Sequence, residues 1–114
     1  MSNLIDLVRG AAKVAENKKS VRIAVQDVKG MSDVCDYQLI CSGTNEKQCQ
    51  AICQGIEDFA RTNFGRRAVA IEGKQTGNWI LLDFGGVIVH IFNDSVRDYY
   101  AIDQLWPSAK SLTY

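Results

Sequence analysis

Gly85-Gly86 restricts this chain more than any other feature. The pair sits between two apolar runs, Trp79-Ile80-Leu81-Leu82-Asp83-Phe84 and Val87-Ile88-Val89-His90-Ile91-Phe92. Two residues free to take positive φ between two strand-like runs specify a hairpin with a two-residue turn. Such a turn also fixes the register, setting Phe84 opposite Val87, Leu82 opposite Val89 and Ile80 opposite Ile91. All six are apolar and share one face, which reads as core. The other face carries Trp79, Leu81, Asp83, Ile88, His90 and Phe92. It mixes aromatics with a carboxylate and the only histidine of the chain, so it reads as a surface built for contact.

The rest of the chain supplies what this hairpin packs on. Ser2 or Asn3 can cap a first helix, in which Leu4, Val8, Ala11 and Ala15 recur at helical spacing. Val21, Ile23 and Val25 alternate with more polar neighbours, predicting a half-buried strand. Tyr37 to Cys41 predicts a second strand, and Ser42-Gly43-Thr44-Asn45 punctuates after it. Thr44 or Asn45 then caps a second helix with the stripe Cys49, Ile52, Cys53, Ile56 and Ala60, edged by Phe59. Gly55 inside that helix costs about 1 kcal/mol against alanine and points to close packing. Gly65 stops the helix. Ala68 to Ile71 predicts a third strand, the hairpin supplies the fourth and fifth, and Asp94 to Tyr100 predicts a short helical turn. Trp106-Pro107 closes the domain, and the last residues read as frayed. The expected layout is α+β in one domain over residues 1–114, α-β-β-α-β-β-β-α, with helices on a mixed five-stranded sheet. Two amphipathic helices cover one sheet face, and the other stays partly open.

Charge narrows the partners. Thirteen basic and thirteen acidic residues cancel, which argues against naked nucleic acid, since a basic excess normally drives that binding. Residues 1–71 carry ten basic and eight acidic residues (+2), and residues 72–114 three and five (−2). The aromatic C-terminal portion therefore suits a basic protein partner. The four cysteines, at 35, 41, 49 and 53, show no C-x-x-C pair. Reduced, partly buried thiols in a cytoplasmic protein are expected, rather than a zinc site or a disulfide framework. No apolar run approaches the length of a membrane span.

Chemistry in the chain is sparse. Asp83 and His90 lie on a diagonal of the hairpin, about 7 Å apart, within reach of an acid–base pair. Neither has a nucleophile in its motif, and Cys41-Ser42-Gly43-Thr44 is not a nucleophile elbow. The same turn is neither a P-loop nor a dinucleotide fingerprint, and a cap is its ordinary reading. Lys18-Lys19 with Arg22, and Arg66-Arg67, are short basic clusters that read as solvated loop ends or, more sharply, as weak RNA contacts. Tyr99, Tyr100 and Trp106 either staple the C-terminus to the sheet or extend a binding hot spot with Trp79 and Phe92.

Four ordered pieces resemble the Iojap family, the ribosomal silencing factors. They are Asp36-Tyr37 through Ser42-Gly43 to Gln48; Ile71-Glu72-Gly73; Trp79 to Gly85 with His90-Ile91-Phe92; and Arg97-Asp98-Tyr99-Tyr100 through Asp103 to Leu105-Trp106. The resemblance implies a nucleotidyltransferase-like fold without catalytic activity, cofactor or metal. It implies docking on protein fourteen of the large ribosomal subunit, obstruction of the small subunit, lowered translation, and a homodimer in isolation. Mapped onto the residues above, it makes Glu72, Trp79, Asp83, His90, Phe92, Tyr99, Tyr100 and Trp106 the expected docking residues. Cys41 and Asn45 depart from the family's common residues, but both lie near the turn. Two readings compete with it. One is a residual nucleotidyltransferase using Ser42, Glu72 and Asp83, which lacks the Asp-x-Asp pair that two-metal chemistry needs. The other is an RNA-binding ribosome-assembly adaptor using Lys18, Lys19, Arg22, Arg66 and Arg67.

Overall fold

The structure, a computed structural model, describes residues 4–105 and 109–114, and Asp103 by its backbone alone. In chain order come α1 (Leu4–Asn17), β1 (Val21–Asp27), β2 (Tyr37–Gly43), α2 (Glu46–Phe64), β3 (Ala70–Glu72), β4 (Trp79–Asp83), β5 (Val87–Asn93), α3 (Asp94–Tyr100) and β6 (Lys110–Leu112). A short 3₁₀ turn, Ile102–Gln104, follows α3. The strands form one mixed sheet in the order β3-β4-β5-β2-β1-β6, in which only β2 and β5 run parallel. The α+β reading holds. The caps expected at Ser2 or Asn3, and Trp106-Pro107, lie outside the described residues.

The hairpin has the register that the glycines dictate. Ile80 faces Ile91, Leu82 faces Val89 and Asp83 faces Ile88. Gly85 and Gly86 take φ of 73° and 130°, and the Phe84 N–H closes on the Val87 carbonyl at 2.9 Å. The six inward residues are buried in one cluster with Ile52, Ile56 and the α1 stripe, and Phe59 packs at its edge. Each fully buried Leu, Ile or Val here contributes about 1.5–3 kcal/mol of transfer free energy. α2 is closed at both ends: the Asn45 side chain accepts the Gln48 N–H, and Gly65 turns left-handed at φ 63°. At Gly55 an added Cβ would sit 3.1 Å from Val14, so the two helices do approach closely there. Gly10 marks an even closer contact, because a Cβ there would lie 2.1 Å from the Phe59 ring.

Two expectations need correction. The sheet has six strands among the described residues, not five. Lys110–Leu112, expected to fray, pairs antiparallel with β1, and Leu112 packs against the core. A three-residue strand has no periodicity to read, and its partner lies some 85 residues away in sequence. The second sheet face is also less open than expected. Ile40, Ser42 and Phe92 are fully buried on it, and Ile88 and His90 nearly so. α3 folds back over one end of β5 and β2, while Val28, Cys35 and Ala109 pack around Ile88 at the other. β3 remains an exposed edge.

Candidate functional site

Five of the expected docking residues converge where α3 crosses the start of β4. Trp79 opens β4 opposite Phe92, so both rings stand on the same sheet face. Their centroids lie 5.1 Å apart in a stack, and Tyr100 tilts against Trp79 at 4.5 Å and against Phe92 at 6.0 Å. Tyr99 meets Tyr100 edge-on at 5.3 Å. His90, two residues before Phe92 and on the same sheet face, completes the group. The Trp79 indole N–H donates to its Nδ1 at 3.1 Å, so that nitrogen is unprotonated in this arrangement. Tilted and stacked rings at 4.5–7 Å add about 0.5–1.5 kcal/mol per pair beyond the area they bury.

Exposure divides these residues by role. Phe92 is fully buried and His90 nearly so, which corrects their reading as contact surface. They form the floor of the cluster, because α3 covers the end of β5. Trp79 is half-buried, while Tyr100 is 45% and Tyr99 85% exposed, so these three present the apolar surface. Leu105, just beyond α3, is 56% exposed and is an apolar group that the sequence reading passed over. Trp106 lies outside the described residues.

The two acids sit apart from the aromatics. Glu72 is exposed on the edge strand β3, opposite Leu81. Asp83 lies at the far end of β4, four residues or about 13 Å from Trp79. Its carboxylate accepts the Gly85 N–H at 2.8 Å, so it braces the hairpin turn. The imidazole and this carboxylate thus each have a structural bond that the acid–base reading did not foresee.

Ser42 does not meet Glu72 or Asp83. It pairs with Phe92, at the opposite end of the strands from Asp83, and is fully buried. Its Oγ accepts from the Arg97 guanidinium at 3.0 Å, and its N–H donates to the Ser20 hydroxyl at 3.2 Å, which in turn donates to its carbonyl. Ser42 is a buried joint, and the trio proposed for nucleotidyl transfer is dispersed. Among the described residues no cluster of three or more His, Cys, Asp or Glu side chains is placed to hold a metal. The four cysteines are buried and unbridged.

The basic residues also separate. Arg22 pairs with Asp94 at 2.7 Å and Asp98 at 3.0 Å. Hydrogen bonds to Asp98 and Asp94 raise its pKa. Burial would raise the Asp94 pKa, but bonds from Arg22 and Ser42 and the charge of Arg22 outweigh it and hold Asp94 below its ordinary value. Arg66 donates to the Phe84 carbonyl at 2.9 Å. Lys18, Lys19 and Arg67 are exposed. Arg97, only 2% exposed, is the residue that sequence reasoning missed most completely; an arginine beside two tyrosines carries no signal of burial.

The comparisons with known proteins fit this geometry. The family described as "Ribosomal silencing factor during starvation" (RsfS) matches residues 1–113. The Ribosomal silencing factor RsfS of Bacillus subtilis is 38% identical over 107 residues, covering 94% of this chain and 90% of that protein. The chloroplastic protein Iojap of Arabidopsis thaliana is 30% identical over 101 residues, which span 89% of this chain and 42% of that longer protein. The mouse "Mitochondrial assembly of ribosomal large subunit protein 1" is 30% identical over 73 residues, 62% of this chain and 32% of its own length. A crystal structure from Chromobacterium violaceum superposes with a TM-score of 0.89 at 26% identity, covering 98% of this chain and 92% of that one. No helix among the described residues is long and apolar enough to cross a membrane. The chain belongs to the ribosomal silencing factor family.

Proposed function

We propose that this chain docks through its Trp79–Tyr100 face on protein fourteen of the large ribosomal subunit, at the surface where the subunits join. Its bulk there keeps the small subunit away and lowers translation. The observation that carries the reading is the layered aromatic cluster. Trp79 packs against both Phe92 and Tyr100, which also pack against each other, and with Tyr99 it offers rigid rings to a partner. Rigid, partly exposed aromatics lose little side-chain entropy on binding and dominate protein–protein hot spots. The mouse relative, named for assembly of the mitochondrial ribosomal large subunit, supports the same direction.

Glu72 on β3 and Asp83 at the far end of β4 add negative charge at a distance from this platform and steer it towards a basic partner. Lys18, Lys19 and Arg67 give at most a minor rRNA contact, since Arg22 and Arg66 are engaged within the fold. The protein works in the cytoplasm and forms a homodimer when free. It acts by obstruction rather than by chemistry, and needs no cofactor.

Sedimentation of ribosomal subunits with added protein tests this. Wild-type protein should co-sediment with isolated large subunits and hold them apart from small subunits under associating magnesium. Tyr100→Ala should do both poorly. Unimpeded 70S formation at saturating wild-type protein would remove the proposal.

A further inference from the structure

α3 has seven residues, too few to be stable alone, yet it carries both exposed tyrosines of the platform. Its first residue is set by β5, which runs directly into it. Its far end needs a second fixing point. Arg97 is the buried residue of this helix, and its Nη1 donates to the Ser42 hydroxyl at 3.0 Å and to the Arg22 carbonyl. Ser42 is itself held by Ser20 on two sides. The Arg22 carbonyl stands where β1 breaks its register with β2 between Val21 and Ala24, and Arg22 takes φ 49°. A bulge of this kind redirects a strand's groups, and here it serves α3 twice. The carbonyl accepts from Arg97, and the Arg22 side chain pairs with Asp94 and Asp98. Tyr100 lies three residues after Arg97, on a neighbouring side of the same turn.

We infer that Arg97 is a positioning residue for the docking face: by fastening α3 to the Arg22 bulge and Ser42, it seats Tyr100 on Trp79. The inference rests on the docking reading above. Arg97 acts through the tyrosines, converting a loose helical turn into part of a preformed surface.

Hydrogen exchange and subunit docking, measured on the same variants, test it. Arg97→Ala should keep its far-UV spectrum and the protection of β4 and β5. Peptides across residues 94–105 should exchange at least about tenfold faster, and docking on large subunits should weaken by about tenfold or more. Arg97→Lys keeps a cationic donor, and the Ser42 hydroxyl and the Arg22 carbonyl take from one nitrogen of Arg97. It should restore docking and α3 protection to within about threefold of wild type. Tyr100→Ala should weaken docking with α3 protection intact. Wild-type protection of α3 in Arg97→Ala overturns the inference, as does wild-type docking with α3 loosened. If Arg97→Ala does not fold, Ser42→Ala decides: faster α3 exchange with weaker docking upholds the inference, and no change in either overturns it. If wild-type protein fails to dock at all, the docking reading falls. Exchange alone then judges the hold on α3, which stands if Arg97→Ala loses protection that Arg97→Lys keeps, and falls if protection is unchanged.

Discussion

Trp79 is the residue on which docking and folding can be separated. Truncating a fully buried tryptophan to alanine costs about 3–5 kcal/mol, and Trp79 is half-buried, so a folding cost of about 2–3 kcal/mol is expected. That loss comprises the stack on Phe92, the contact with Tyr100 and the bond to His90. A chain of this size has about 5–15 kcal/mol in hand, so Trp79→Ala should remain folded at 25 °C with a lowered midpoint. Its docking loss is a separate quantity. As the anchor of a hot spot, Trp79 should cost at least about 2 kcal/mol of binding on truncation, roughly a thirty-fold weaker affinity.

Trp79→Phe divides the two effects further. It keeps a ring against Phe92 and Tyr100 but removes the donor to His90, for about 1 kcal/mol of stability. Docking should then fall by only about threefold, because most of the apolar platform survives. The assay is titration of each variant into large subunits, read by sedimentation after addition of small subunits, with urea unfolding run in parallel. If Trp79→Ala holds the subunits apart at the wild-type half-maximal concentration while its unfolding midpoint drops, the ring serves the fold alone. The aromatic cluster would then be a second core, and the docking site would have to lie elsewhere.

Other outcomes are also fixed by the structure. Leu82→Ala, at a fully buried position between Val89 and the helices, should lower the unfolding free energy by about 2–5 kcal/mol in urea titration. Asp83→Asn keeps an acceptor for the Gly85 N–H, so its stability should change by under about 1 kcal/mol while docking weakens about threefold; Asp83→Lys should weaken docking more, by repulsion from a basic partner. Mass measurement after alkylation without reductant should find four adducts on denatured protein and slow labelling of the native form. Burial pushes Cys41 and Cys53 from an ordinary 9.0 up to about 12. Native thiols that stay protonated confer stability present in full below pH 9, and stability should be lost as pH rises from there through about 12. A midpoint that is flat across that window would contradict the burial of these thiols.

How much of this was legible in the sequence follows from the range of each interaction. The hairpin register was legible because two adjacent glycines determine it locally, and the α2 stripe because five apolar residues recur at helical spacing. The buried rank of Ile80, Leu82 and Phe84 followed from period two. Period two could not say whether the opposite face is covered, since that depends on where α3 and the chain end fold back. Phe92 and His90 were therefore read as surface when they form a floor. β6 and the Arg97 hold were illegible for the same reason. Each joins residues about 55 to 87 positions apart, and neither leaves a local pattern. The convergence of Trp79, Tyr99 and Tyr100 was legible only as composition: many aromatics in one stretch, with no sign of which would stack.

The two faces of the sheet explain why the proposed contact surface falls where it does. Two helices of fourteen and nineteen residues cover most of the first face, where the larger core cluster lies, and leave Ile71 on the edge strand β3 exposed. Among the described residues the second face has one seven-residue helix, which covers the end of β5 and β2. Past its edge lie Trp79, the start of β4 and the exposed strand β3. Apolar surface left open at such a margin is costly for an isolated chain unless something else covers it. Filling the margin with a longer α3 would stabilise the free protein and remove its platform together. The aromatic cluster is thus the part of a second core that the fold leaves unfinished, and Arg97 fixes how far it is finished. On this view, substitutions that lengthen or tighten α3 over Trp79 should raise the unfolding midpoint and weaken docking in step, the opposite of the correlation expected if the face served stability alone.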